Sequence, residues 1–196
     1  MTEPFRPRSV HSPMRDNKHK LLVASAGILI MLLALGALLL PLQREAPGRL
    51  VVGWMLIAAG AIELATALVR QRHRKSVGLA ALATLLAGVR LISDPGANFF
   101  AVMNIVILWL VVRGAALLFS AARTARPLGS WIAIAAATDL LLALGLLAGL
   151  PVALLVYGLF GPTPQIVATF AWVFAASFVA TGALLIALAR IGEASE

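Results

Sequence analysis

Six stretches of nearly unbroken apolar sequence alternate with short polar segments along the chain, at residues 21–40, 50–69, 76–92, 98–122, 130–150 and 165–189. Each is apolar on every face, and each is close to the ~20 residues that cross a ~30 Å hydrocarbon core at ~1.5 Å per residue. The pattern predicts six transmembrane helices, because a spanning β-barrel would need shorter segments of about 10 residues with alternating polarity. The first run is longer than the ~7–15 apolar residues of a secretion signal and follows a polar stretch at residues 1–20, so it is read as a true span.

The polar segments punctuate these runs in a repeating order. An apolar run ends in a proline, a second follows, and the pair closes on a glycine-alanine step and a basic residue. The first copy turns at Pro41 and closes on Gly60 and Arg70, and the second turns at Pro95 and closes on Gly114 and Arg123. Proline and glycine are equally spaced in both. A third copy has Pro151, Gly182 and Arg190 with a longer interval, which places an insertion at Pro151 to Pro164. This insertion is too short to cross a bilayer and too apolar for an aqueous loop. The expected architecture is therefore an all-α integral membrane bundle of six transmembrane helices built from three tandem helical hairpins, at about 21–70, 76–123 and 130–190 within a domain at 21–190. Close helix contacts are expected at Gly60, Gly114 and Gly182, since in lipid small residues let backbones approach.

Composition agrees with a lipid solvent. Hydrophobic residues make up 61% of the chain and charged residues 12%, with a mean hydropathy of +0.98, too little polar surface to coat a water-soluble globule. The net charge of +8 reads as topology. Twelve of the 16 basic residues lie before the first span, after the second and fourth, and after the sixth. The positive-inside rule then places both termini on the cytoplasmic side. No nucleic-acid partner is needed to explain the charge. Residues 1–20, basic and carrying Pro4, Pro7 and Pro13, are expected to be a disordered tail near anionic headgroups, and residues 191–196 a short cytoplasmic end.

The search for chemistry narrows to a few charges. His11, His19 and His73 lie outside the spans and there is no cysteine, so no catalytic triad, thiol chemistry or metal-ligand pair is expected within the membrane, and no cofactor is implied. The sequence points away from an enzyme. A charge at mid-membrane costs ~2.5–3.5 kcal/mol even on the mild insertion scale, so each should be paired or face water. Arg90 and Asp94 stand one turn apart near the outer end of the third span, an expected ion pair. Glu63, Arg113 and Asp139 stand deeper. Counted at ~1.5 Å per residue, they lie about 10, 15 and 14 Å in from Arg70, Arg123 and Ser130, a similar level in the inner half of the bilayer. They are expected to form one cluster, either a polar knot that fixes helix register or a proton- or ligand-responsive site.

The ordered prolines, the recurrent glycine-alanine step and the Gly129-Ser130-Trp131 opening of the fifth span, with Asp139 eight residues after Trp131, resemble the HdeD-type acid-resistance membrane proteins over roughly residues 21–190. That family comprises small bacterial inner-membrane proteins linked to acid stress, without an established molecular activity. The resemblance implies a setting: a non-enzymatic membrane protein of the stress response, acting by self-association into a homo-oligomer, by packing or by binding a partner. The alternative is a small channel or transporter with a proton-responsive Glu63, Arg113 and Asp139 cluster.

Overall fold

The computed structural model describes residues 13–42, 48–69, 74–93, 98–149, 158–159, 161 and 165–194. Among them are six long helices: α1 (Pro13–Leu39), α2 (Gly48–Val69), α3 (Arg74–Ser93), α4 (Phe99–Ala122), α5 (Leu128–Leu147) and α6 (Gln165–Ala194). Five contain segments long and apolar enough to cross a membrane: Lys20–Leu39, Leu50–Leu68, Phe99–Ala122, Leu128–Leu147 and Ile166–Ile191. The apolar part of α3, Val77–Ser93, is shorter, because Arg74 and Lys75 occupy the first turn of the helix.

Helix ends follow from local chemistry. The first helix starts at Pro13, so residues 13–20, expected to be disordered, continue it instead. Proline suits a first turn because its missing N–H would have no partner there. At its other end α1 gives way to a 3₁₀ turn, Leu40–Leu42, containing Pro41, since a proline disfavours α geometry in the residue before it. Asn98 caps α4, its Oδ1 accepting from Ala101 N at 2.9 Å, one of the amides left unpaired at a helix start. After α5, Gly149 takes φ +68° and donates its N–H to the Leu146 carbonyl, the left-handed stop that glycine adopts without strain.

The six helices form a ring in chain order, closed by α6 against α1. The closest pairs are α2 with α3, α4 with α5 and α6 with α1, and a glycine sits at each. A Cβ on Gly60 would lie 2.8 Å from the Leu85 amide nitrogen, one on Gly114 would lie 2.9 Å from Leu140 Cγ, and one on Gly182 would lie 3.0 Å from the Gly27 carbonyl. The glycine contacts thus join different hairpin repeats, the first to the second, the second to the third and the third back to the first, and not the two helices inside one. Where α1 meets α2 and α3 meets α4 the contact is looser, leaving apolar grooves of about 210 and 490 Å³.

Leucines face outward all round the ring, for example Leu32, Leu86, Leu108, Leu141 and Leu144, while Glu63, Arg113 and Asp139 are buried inside. An apolar exterior around an ionic centre is the reverse of a water-soluble protein and fits a molecule embedded in lipid.

Candidate functional site, a buried ionic centre

Arg113 projects from α4 into the middle of the ring, where it is 2% exposed. Its Nη2 donates to Glu63 Oε1 on α2 at 2.7 Å and its Nη1 to Asp139 Oδ2 on α5. The same nitrogens reach α6, Nη1 donating to Ser177 Oγ at 2.9 Å and Nη2 to Thr181 Oγ1. One guanidinium therefore ties together α2, α4, α5 and α6, using the planar fork of donors that distinguishes arginine from lysine.

The hydroxyls complete the network in a consistent direction. Ser177 accepts from Arg113 and donates to Asp139 Oδ1 at 2.7 Å. Thr181 accepts from Arg113 and donates to the Ser177 carbonyl at 2.8 Å. On the far side of Glu63, Thr84 Oγ1 lies 3.5 Å from Oε2 and accepts from Trp109 Nε1 at 3.0 Å. The Trp109 ring also stands 5.8 Å from the Arg113 guanidinium. Arg113 Nε is the one nitrogen of the guanidinium without a hydrogen-bond partner among the described residues.

Repeat register explains why these side chains meet. Arg113 and Thr181 each immediately precede the contact glycine of their helix, and Trp109 and Ser177 each stand five residues before it. On the facing helices, Thr84 and Asp139 stand one residue before Leu85 and Leu140, the leucines that touch Gly60 and Gly114. Trp109 to Thr84 and Ser177 to Asp139 are thus the same contact in two repeats. In the remaining repeat the matching positions are Met55 and Ile30, both apolar. At these positions two copies carry polar groups and one does not, whereas Glu63, three residues after Gly60, comes from that first copy and matches Leu117 and Leu185 in the others.

Access to the centre is one-sided. Toward the start of α6 it abuts buried aromatics, with Trp109 and Phe174 at a centroid separation of 5.3 Å and Phe174 and Phe178 at 6.2 Å. Toward the end where α2 and α4 finish lies a cavity of about 40 Å³ lined in part by Glu63, Thr66, Arg113 and Thr181.

Of the residues expected from sequence, Glu63, Arg113 and Asp139 are joined directly, and Gly60, Gly114 and Gly182 lie at helix contacts. Arg90 lies on the exposed side of α3, beside the groove shared with α4, while its expected partner Asp94 falls outside the described residues. The insertion at Pro151 to Pro164 falls outside them too, apart from residues 158, 159 and 161. Sequence reasoning missed the roles of Thr84, Trp109, Ser177 and Thr181. Aligning the repeats on their glycines would have found the last three, since it sets Thr181 against Arg113 and Ser177 against Trp109. Among the described residues no group of three or more His, Cys, Asp or Glu is placed to hold a metal ion. Comparison of the chain with protein-family models, with curated proteins and with solved structures finds no match.

Proposed function

We propose that this chain is a non-enzymatic, six-span inner-membrane protein of HdeD type, three hairpins in tandem with both termini cytoplasmic, that serves the envelope response to acid. The observation that carries this reading is the composition of the buried centre: two carboxylates on different helices share one guanidinium. Such a centre contains one more acid than base. Protonating either carboxyl removes an ion pair between α4 and another helix, so acidity can change how the bundle is held together. The test is genetic and direct. Cells lacking the gene should survive an acid challenge poorly, wild-type protein should restore survival, and E63Q/D139N expressed at the same level should not. Equal restoration by both forms would remove the centre from the function.

A second reading, a small channel or transporter, is favoured by the cavity that reaches Glu63 and Arg113 from one end. Against it stand the buried aromatics on the other side, which oppose a continuous polar path. Proton and small-solute flux in proteoliposomes, at neutral and acid pH, separates the two: flux abolished by E63Q/D139N would favour conduction.

A further inference from the structure

The two carboxylates of the centre are not equally reachable. Asp139 is 0% exposed and is enclosed by Arg113 and Ser177, and it does not line the cavity. Glu63 is 6% exposed and does line it, together with Thr66, Thr181 and Arg113. The cavity's volume of about 40 Å³ exceeds the ~10–15 Å³ that a water molecule requires. Such a water needs two to four polar partners, and on a wall otherwise made of apolar side chains the Glu63, Thr66, Arg113 and Thr181 side offers them. Arg113 Nε is a buried donor without a partner, Glu63 is an acceptor, and the Thr66 hydroxyl, which donates to the Glu63 carbonyl at 2.7 Å, keeps lone pairs to spare.

We infer that this cavity is a hydrated proton-access site: it holds one water that accepts from Arg113 Nε and donates to the Glu63 carboxylate, and through it Glu63, and not Asp139, exchanges protons with the solution at that end. The inference rests on the acid-response reading above and adds which carboxyl responds and from which side. A proton from solution passes to the cavity water, and that water releases one of its own to a Glu63 oxygen. Arg113 keeps its proton and its pair with Asp139, while the Glu63 to Arg113 ion pair is lost and the centre gains one positive charge. Among the described residues the charged groups around Glu63 are Arg113 from α4 and, across the guanidinium, Asp139 from α5. The third and sixth helices bring the hydroxyls of Thr84 and Thr181, and α1 carries no titratable residue between Leu21 and Leu39. The aromatic cluster of Trp109, Phe174 and Phe178 on the other side of the centre leaves the cavity as the wet approach.

Infrared difference spectroscopy of the full chain in nanodiscs, taken between neutral and acid pH, tests this. A buried carboxylic-acid band should appear on acidification, shift when glutamate is carboxyl-labelled with carbon-13, stay in place when aspartate is labelled, and vanish in E63Q. Deuterium from the solvent should replace its proton quickly in the wild type and roughly tenfold more slowly in V77F, which places bulk on the cavity wall, the effect of a barrier raised by ~1.4 kcal/mol. A band that moves with labelled aspartate, or V77F exchanging at the wild-type rate, would overturn the inference while leaving an acid response intact. No buried-acid band at any pH would overturn both. The labelling arm needs no variant, so it decides the question even if V77F fails to fold.

Discussion

Neutralising both carboxylates of the centre should harm the protein more than removing the arginine. In E63Q/D139N the amide oxygens can still accept from Arg113, and Ser177 and Thr181 still face it, so the bonds that Arg113 donates survive and only the Ser177 bond to the second Asp139 oxygen is lost. Charge compensation does not. A guanidinium keeps its proton under all accessible conditions, leaving an uncompensated charge that is 2% exposed at the centre of an apolar bundle. Breaking a buried pair in this way costs ~3–5 kcal/mol. In R113L the stranded groups are carboxyls, each of which can be neutralised by a proton. Asp139 keeps its bond from Ser177 and Glu63 keeps Thr84 nearby. The loss should be correspondingly smaller. Reversible unfolding of purified protein in mixed detergent micelles, followed by tryptophan fluorescence and circular dichroism, measures both. The expected order of stability is wild type, then R113L, then E63Q/D139N. Should R113L prove the less stable variant, the reasoning from charge compensation would be refuted.

Other consequences concern helix contacts, hydroxyls and orientation. Gly60→Ala should destabilise by ~1–3 kcal/mol in the same assay, because its new methyl would lie 2.8 Å from a backbone nitrogen. Gly78→Ala, with nothing within 4 Å, should be neutral or gain up to ~1 kcal/mol of helix propensity. Thr181→Val should cost ~1–2 kcal/mol, since Arg113 would lose one of two acceptors at Nη2, and Thr181→Ser should recover most of it. Reporter fusions after Arg49 and after Arg74 should report opposite sides of the membrane, the second cytoplasmic, and labelling of both sites from one side would contradict the topology.

Much of this was legible in sequence because lipid imposes few solutions. Helix positions followed from run length: all six runs coincide closely with apolar helical segments, five of which are long enough to cross a membrane. The clustering of Glu63, Arg113 and Asp139 could be anticipated by counting depth, since buried charges of opposite sign at one level have strong reason to meet. Helix neighbours were less legible. The spacing of Pro41 and Gly60 defines a repeat, but not which helix a glycine touches, and the close contacts turned out to bridge different repeats. Ser177 and Thr181 escaped notice for a chemical reason. A serine or threonine in a helix can satisfy itself on the carbonyl one turn back, as Thr181 does on Ser177, so it carries no visible demand for a partner. Residues 13–20 misled because their charge and prolines argue against a folded unit of their own, whereas a helix that continues from α1 needs no core.

The central claim, that acid loosens a bundle held by Arg113, can be tested by distance. The chain contains no cysteine, so spin labels introduced at Leu68→Cys on α2 and Ile134→Cys on α5, both surface positions, report only those helices. Electron–electron resonance in nanodiscs should give one narrow distance distribution at neutral pH that lengthens or broadens as pH falls. In E63Q/D139N, carrying the same labels, the distribution should not change with pH. A wild-type distribution indifferent to acid, or a double variant that shifts as the wild type does, would contradict the account.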